Sequence, residues 1–115
     1  MDISKRSYRA IVTKVLDGDT FDAFVDLGLG VSIEKRVRIL SIDTPELGEE
    51  HHQEAVEATK VLRDLLRVGQ VIITTDDDKH DQYGRVLAQV LVLQDGGLID
   101  VGQLLIQKGL ARPWY

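Results

Sequence analysis

The first third of the chain contains three stretches rich in β-forming residues, at 8–16, 21–27 and 31–42, and the third alternates between apolar and polar positions over much of its length. Alternation with a period of two is typical of strands that bury one face. Turn-forming residues separate the stretches, with Asp-Gly-Asp-Thr at 17–20 and Gly-Leu-Gly at 28–30, as in β-hairpins. The pattern predicts three sequential antiparallel strands that form a meander.

A helical period replaces this pattern from residue 49 to residue 67. The apolar residues of this segment fall on one face of a helix, and they are Ala55, Ala58, Leu62, Leu65 and Leu66. Acidic residues come early in the segment, whereas Arg63 and Arg67 come late, an order that suits the helix dipole. We therefore predict an amphipathic helix that ends near Gly69.

Two further strands follow the helix, at 71–75 and 86–93, and Asp-Gly-Gly at 95–97 ends the sheet pattern. Asp100 can cap a short C-terminal helix, with Gly109 as its terminator. The predicted class is a β-rich α+β fold. It is a five-stranded OB-type barrel with one helix between strands 3 and 4 and a short C-terminal helix.

The composition fits one compact domain, because the chain has 115 residues, 43% of them hydrophobic. We assign residues 8–115 to this domain and residues 1–7 to an N-terminal tail. The chain has no cysteine, which excludes disulfides and thiolate metal sites. No segment has the length needed to span a bilayer and no apolar run follows the charged N-terminus, so we expect no membrane partner. As written, the chain is expected to be cytoplasmic, and secretion stays open if a leader has been removed.

The formal net charge is −5 at pH 7, which disfavours tight binding to a polyphosphate. Affinity for nucleic acid rises with the number of phosphates that lysine and arginine neutralise. A bound divalent cation would change the local balance, since carboxylates then act as ligands. The charge therefore predicts weak, salt-sensitive binding to any nucleic acid.

Three residues at the end of the third stretch combine groups suited to a phosphodiester and a divalent cation, namely Arg38, Asp43 and Glu46. A guanidinium matches phosphate oxygens bidentately, and carboxylates bind hard cations. Each residue also has an ordinary interpretation. An arginine on a strand is more often a solvated surface residue, and a glutamate is favourable in the first turn of a helix.

Three ordered blocks of the chain resemble the staphylococcal nuclease-like, or thermonuclease, family. They are Asp-Gly-Asp-Thr at 17–20, the segment 38–46, and Asp-Gln-Tyr-Gly-Arg at 81–85. Gly-Leu-Ala at 109–111, followed by Tyr115, is similar to the closing segment of the family. The resemblance covers nearly the whole chain and implies the same OB-type barrel, without the third helix of longer members.

The resemblance implies a calcium site, with Asp19, Asp43 and the carbonyl of Thr44 as ligands. Taken alone, two aspartates around a glycine are ordinary hairpin chemistry. Asp17 fits a supporting role in the turn better than a place among the ligands. The expected cofactor is therefore Ca²⁺, held between the first hairpin and the end of the third strand.

The catalytic residues that the resemblance implies are Arg38, Glu46 and Arg85. Glu46 would orient or deprotonate the attacking water. The two guanidiniums would stabilise the negative charge that develops on the phosphate.

Substrate contacts are implied for Tyr83, Tyr115 and Gln82. Aromatic faces and hydroxyls can meet base, sugar or phosphate, although packing at the barrel rim is an equal alternative. Gln82 stands where secreted members carry a lysine that contacts phosphate. Trp114 is interpreted as packing rather than stacking.

The implied activity is calcium-dependent hydrolysis of single-stranded or frayed DNA, with RNA as a further candidate, to 3′-phosphate products. The expected partner is nucleic acid alone, and the expected state is a monomer with no obligatory protein partner. A non-catalytic OB-type module that binds nucleic acid or protein is the alternative. The acidic charge and Gln82 favour that alternative, whereas the presence of every catalytic residue type favours the enzyme.

Overall fold

Five strands form a closed barrel in the computed structural model, which describes residues 3–45, 52–67 and 70–114. The barrel strands are β1 (Lys5–Asp17), β2 (Thr20–Gly28), β3 (Val31–Ile39), β5 (Gln70–Asp76) and β6 (Val86–Gln94). Their order is β3-β2-β1-β5-β6, and a further pairing of β3 with β6 closes the sheet. The predicted OB-type barrel is confirmed.

The closure is a short parallel pairing that we call the seam. It joins residues 37–39 of β3 to residues 86–88 of β6, with Arg38 opposite Leu87. Every other pairing between barrel strands is antiparallel. Leu40 extends the seam by donating its backbone N–H to the carbonyl of Ala88 at 2.8 Å. The end of β3 and the start of β6 are thereby fixed side by side.

The core fills the barrel with the inward residues of alternating strands, as period-two burial requires. In β2, Phe21, Ala23 and Val25 are buried while the residues between them are more exposed. Helix α1 (His52–Arg67) packs against this core through Ala58, Leu62 and Leu66. The predicted apolar face is confirmed, with Leu65 only partly buried. The expected first turn at 49–51 and the end near Gly69 lie outside the described residues.

Short elements outside the barrel complete the described part of the chain. A two-stranded sheet pairs β4 (Ile42–Asp43) with β8 (Arg112–Pro113). Helix α2 (Val101–Gln107) is capped by Asp100, whose side chain accepts from the backbone N–H of Gln103, as predicted. Neither described helix has the length and apolar character needed to cross a membrane.

Three boundaries differ from the sequence prediction by more than one residue. The third strand, predicted over 31–42, ends at Ile39, and after Ser41, which has positive φ, residues 42–43 form β4 instead. Residues 5–7, assigned to an N-terminal tail, belong to β1 and pair with β5. Their side chains are polar, and Lys5 and Ser7 find partners in Asp76 and Thr74 rather than in the core. Residues 95–97 do not end the sheet, because they turn the chain into a further strand, β7 (Gly97–Asp100), which pairs with β6. Asp95 and Gly96 both have positive φ, which suits a tight hairpin turn.

Candidate active site

The turn between β1 and β2 holds Asp19 in a buried position next to the seam. The backbone N–H of Asp19 donates to the Asp17 carboxylate at 3.1 Å, and Thr20 Oγ1 donates to Asp19 Oδ1 at 2.9 Å. Gly18 lets the turn approach helix α1 closely, since a Cβ there would lie 2.8 Å from Ala58 Cβ. The close approach of the turn to the helix therefore depends on a residue without a side chain.

Arg38 projects from β3 into the space between two carboxylates. Its Nη2 lies 3.5 Å from Asp19 Oδ2 and 3.8 Å from Asp43 Oδ1, and its Nη1 donates to the carbonyl of Ile39 at 2.6 Å. The Arg38 side chain is only 13% exposed. The Arg38 guanidinium is thus largely buried and held in place. The interpretation of Arg38 as a solvated surface residue is wrong.

Asp43 and Thr44 are brought to the same place by the short β4–β8 sheet. Asp43 pairs with Arg112 in that sheet, while its carboxylate remains largely exposed. The buried Thr44 donates its backbone N–H to Asp19 Oδ2 at 3.4 Å. Two of the residues predicted to bind calcium, Asp19 and Asp43, therefore converge on the Arg38 guanidinium, and the third, Thr44, lies beside Asp19.

Arg85 reaches the same cluster from the other strand of the seam. Asp81 holds it twice, by accepting from Arg85 Nε at 2.7 Å and from its backbone N–H at 3.0 Å. Asp81 also accepts from the backbone N–H of Tyr83 at 2.9 Å, and the guanidinium carbon lies 5.3 Å from the Tyr83 ring centroid. Burial opposes ionisation of Asp81, but the hydrogen bonds from Arg85 and Tyr83 hold its pKa below the ordinary value.

Two residues without an assigned role connect these parts. Thr20 links the two halves of the site, because its hydroxyl donates to Asp19 and lies 3.5 Å from Arg85 Nη1. Asp81 fixes the guanidinium of Arg85 by its two hydrogen bonds to that residue. The sequence could have identified Thr20 and Asp81 only by their positions inside the blocks at 17–20 and 81–85. The contacts of their side chains depend on how the strands pair.

Asp17 carries an unfavourable charge in this setting. Burial raises the pKa of its carboxyl from 3.8 to about 6, and the neighbouring Asp19 carboxylate adds to the rise. The folded chain therefore binds a proton at Asp17 more tightly than the unfolded chain does. Stability from this group is present at low pH and is lost as the pH rises from about 4 to about 6.

Replacing Asp17 by asparagine is expected to stabilise the metal-free protein at neutral pH. The amide oxygen can still accept from the Asp19 N–H, while the amide N–H can donate to the carboxylate that now repels Asp17. Because Asp17 is partly exposed, we expect a gain of about 1 kcal/mol rather than the ~3 kcal/mol that such a pKa change would represent in full. Urea denaturation in chelator between pH 3.5 and 8 should show the gain above pH 6 and its disappearance below about pH 4.

Asp26→Asn provides the matched control for this prediction. Asp26 also accepts from a backbone N–H two residues ahead, that of Gly28 at 2.8 Å, but it is exposed. This variant should match the parent at every pH. A D17N protein that is no more stable than the parent at pH 7 would contradict the proposed charge conflict.

The donor set fits a hard divalent cation. Asp19 and Asp43 present carboxylate oxygens to one cationic nitrogen, and Thr44 lies beside Asp19. Ca²⁺ accepts such oxygens together with carbonyls and waters. Among residues 3–45, 52–67 and 70–114, no three acidic, histidine or cysteine side chains form a metal-binding group by themselves. Any ion here would therefore depend on further oxygens from backbone, water or substrate.

The remaining predicted site residues divide into two groups. Gln82 and Tyr83 are exposed and line the same cleft as Arg38 and Arg85. Glu46 and Tyr115 lie outside the described residues, so their roles stay predictions. Trp114 is 62% exposed and lines this cleft, so its side chain does not pack in the core. Its packing beside Tyr115 stays a prediction.

The barrel and its cluster of paired carboxylates and guanidiniums define a class of small OB-type domains with a polar site at the closing seam. The chain belongs to the family of staphylococcal nuclease homologues, whose model matches residues 36–115. This match includes the arginines on both strands of the seam and the β4–β8 sheet.

Curated relatives agree with this assignment. The chain is 33% identical to a micrococcal nuclease of Shigella flexneri over 90% of its own length and 57% of the relative. It is 30% identical to the endonuclease YncB of Bacillus subtilis, with 96% of the chain and 50% of the relative covered. An uncharacterized protein of Methanocaldococcus jannaschii is 29% identical, with 93% and 59% covered. The chain thus spans about half the length of these relatives.

Proposed function

We propose that the chain is a calcium-dependent phosphodiesterase that hydrolyses single-stranded or frayed DNA, and also RNA, to products with 3′-phosphate ends. The observation that carries the proposal is the position of Arg38 between Asp19 and Asp43, with Arg85 joined to the same cluster through Thr20. Two relatives that carry the names nuclease and endonuclease support the same reaction class.

The two arginines suit the binding of one phosphate group. Asp81 occupies the Nε side of Arg85, and among the described residues the outer nitrogens have only a long contact to Thr20. A phosphate can therefore accept hydrogen bonds from the Nη nitrogens of Arg85. The negative charge that develops on the phosphate is then stabilised without reorganisation of the site. Arg38 contributes a second guanidinium whose position is already fixed by Asp19 and by the carbonyl of Ile39.

Asp19, Asp43 and the Thr44 carbonyl would hold calcium, and the chemistry that the ion supplies when bound is polarisation of the phosphoryl group. Glu46 follows this segment in the sequence and is proposed to orient or deprotonate the water that attacks phosphorus. Gln82, Tyr83 and Tyr115 are proposed to contact the flanking nucleotide. In this arrangement Asp19 and Asp43 are ligands of the ion, whereas Glu46 acts on the water.

A cleavage assay tests the proposal directly. A labelled single-stranded oligonucleotide is incubated with purified protein in Ca²⁺ or in excess chelator, and the ends of the products are analysed. We expect cleavage only with Ca²⁺. The products should carry a 5′-hydroxyl, which a polynucleotide kinase labels directly, and a 3′-phosphate, which blocks extension by a polymerase until a phosphatase removes it. Binding without any calcium-dependent product would instead support the non-catalytic OB-type module.

A further inference from the structure

Two adjoining depressions beside helix α1 form one open groove that lies apart from the catalytic cleft. Their volumes are about 700 and 420 Å³, and they share three lining residues, Val12, Leu66 and Arg67. No residue that lines either depression also lines the cleft between the two seam arginines. We call this feature the helix groove, because it follows residues 9–15 of β1 and residues 63–67 of α1.

The helix groove begins close to the proposed reaction centre and leads away from it. Val15 lines one end and lies two residues before Asp17, the first residue of the block that carries Asp19. Arg9 lines the other end. At about 3.3 Å per strand residue, the path along β1 between these ends covers roughly 20 Å. Phosphates follow one another about every 3.4 Å along each strand of a duplex, so several successive phosphates fit this length, even in a more extended strand.

The helix groove reverses the charge of the chain locally. Among the described residues that line it, four are cationic, namely Arg9, Lys14, Arg63 and Arg67, and one is acidic, Asp26. All four cations are exposed, although the whole chain has a formal net charge of −5. The catalytic cleft has two guanidiniums and two carboxylates in its lining, so its formal charges cancel. A polyanion is therefore attracted to the helix groove more than to the cleft.

The cations of the helix groove are available to a ligand. In the part of the chain that the structure describes, Arg67 alone of the four forms an ion pair, with Asp64 at 3.8 Å, and both side chains are largely exposed. An exposed pair of this kind contributes about 1 kcal/mol or less. Lys14 lies opposite Asp22 across the first hairpin, but the Asp22 carboxylate accepts two hydrogen bonds from Arg36. A phosphate can thus bind these cations without breaking a strong contact.

One wall of the helix groove also carries exposed apolar side chains. Ile11 and Phe24 lie opposite each other on β1 and β2, and they are 73% and 44% exposed. A nucleotide can cover such a surface with its sugar or base while its phosphate meets the cations. An acidic apolar peptide combines the same properties, but the groove adjoins a centre that is proposed to act on a phosphodiester. That continuity favours a nucleic-acid strand as the occupant.

We propose that the helix groove is a second binding site, which holds the phosphates of a single strand at a distance from the bond that is cut. The inference rests on the proposed function, since it takes the occupant to be the substrate of the catalytic cleft. Arg38 and Arg85 bind the phosphate that reacts, and the helix groove binds phosphates further along the same strand. Because the cleft has no formal net charge, most of the electrostatic affinity for a long strand comes from the helix groove.

The dependence of cleavage on substrate length tests this second site. The double variant Arg9→Gln/Arg67→Gln removes two of the four cations but keeps polar side chains. On an oligothymidylate of about 20 nucleotides, longer than the roughly 4–16 that one OB domain covers, KM should rise about tenfold, because each exposed contact is worth about 1 kcal/mol or less. On a dinucleotide, which cannot reach the groove, kcat/KM should stay within about twofold. An equal change on both substrates, or no change on the long one, would overturn the proposal.

Lys60→Gln/Lys108→Gln is the matched control, because it removes the same amount of charge elsewhere. Both lysines are exposed, and neither lines the helix groove or the catalytic cleft. This variant should keep KM for the long strand within about twofold of the parent value. A tenfold rise here as well would show that the net charge of the chain is responsible, and it would overturn the assignment to the groove.

Strand binding without cleavage provides a second readout. Fluorescence anisotropy in chelator, at about 50 to 200 mM salt, gives the slope of log affinity against log salt. Each phosphate contact to a single strand contributes roughly −0.7 to this slope, so loss of two contacts should make it shallower by about 1.4 in the Arg9→Gln/Arg67→Gln variant. An unchanged slope would overturn the proposal.

Competition identifies the class of occupant. An oligoglutamate of the same charge should displace the labelled oligothymidylate at least about tenfold less well than unlabelled oligothymidylate does, because it lacks sugars and bases to cover the apolar wall. Equal displacement by both competitors would overturn the choice of nucleic acid and indicate a site for acidic polypeptides.

The same experiments separate the second site from the proposed function. Calcium-dependent cleavage with equal KM for the parent and Arg9→Gln/Arg67→Gln would overturn the second site and leave the nuclease proposal standing. Strand binding that is weakened in this variant, without cleavage by the parent, would support the second site and overturn the nuclease proposal.

Discussion

Arg38→Ala is expected to lower kcat on single-stranded DNA by about 10²- to 10³-fold in saturating Ca²⁺. Arg38 is held between Asp19 and Asp43, so its charge is already aligned with the proposed phosphate position before substrate arrives. Lysine keeps the charge but loses the planar fork, so Arg38→Lys should also lose most of the activity. Initial rates at saturating substrate measure both effects.

Arg36 offers a matched control on the same strand. It lies two residues before Arg38 and pairs with Asp22 through two hydrogen bonds, of 2.8 and 3.2 Å, but its side chain is exposed. Exposed ion pairs contribute about 1 kcal/mol or less to stability. Arg36→Ala should therefore keep activity within about twofold, and a loss equal to that of Arg38→Ala would show that general charge, not the site, is responsible.

Gly18→Ala is expected to destabilise the protein by about 3 kcal/mol, at the upper end of overpacking costs. The new methyl would lie 2.8 Å from Ala58 Cβ and 2.9 Å from Thr44 Oγ1. Both neighbours are buried, and side-chain rotation cannot relieve the clash, because Ala58 Cβ and Thr44 Cβ, at 3.0 Å, are fixed to the backbone. The turn must therefore shift from helix α1. Because that turn carries Asp19, calcium affinity should fall together with the midpoint of thermal unfolding.

Two further variants make this prediction specific. Gly97→Ala meets no heavy atom closer than 3.9 Å and needs no positive φ, so its stability should match the parent within about 1 kcal/mol. Ala58→Gly removes one of the clashing atoms and should recover part of the loss in the double variant. Equal stability of Gly18→Ala and Gly97→Ala would show that the turn has room to relax.

The regular elements of the fold were predictable because their periods are local properties of the sequence. The hairpin at 17–20 and the helical face from Ala55 to Leu66 follow from turn chemistry and side-chain spacing. The first residues of β1 were missed because Lys5–Ser7 are polar and are held by pairing with β5. Strand β7 was missed because Asp95 and Gly96 form a turn between strands as readily as an end to them.

The site was predictable in composition but not in its connections. Motif residues identified Arg38, Asp43 and Arg85, yet no local pattern shows that Asp81 fixes Arg85. The exposure of Trp114 could not be predicted either. A bulky apolar residue is usually buried, and the 62% exposure of this one is visible only in the folded chain.

The seam also links the proposed activity to folding. Arg38 lies within it on β3, and Arg85 immediately precedes the first residue of β6, so the two guanidiniums come together only when β3 and β6 pair. This contact joins segments far apart in sequence, and such contacts carry the largest loop-closure cost in folding. A nascent or partly unfolded chain would thus hold its arginines apart. Barrel closure would thus restrict the proposed nuclease activity to the folded chain.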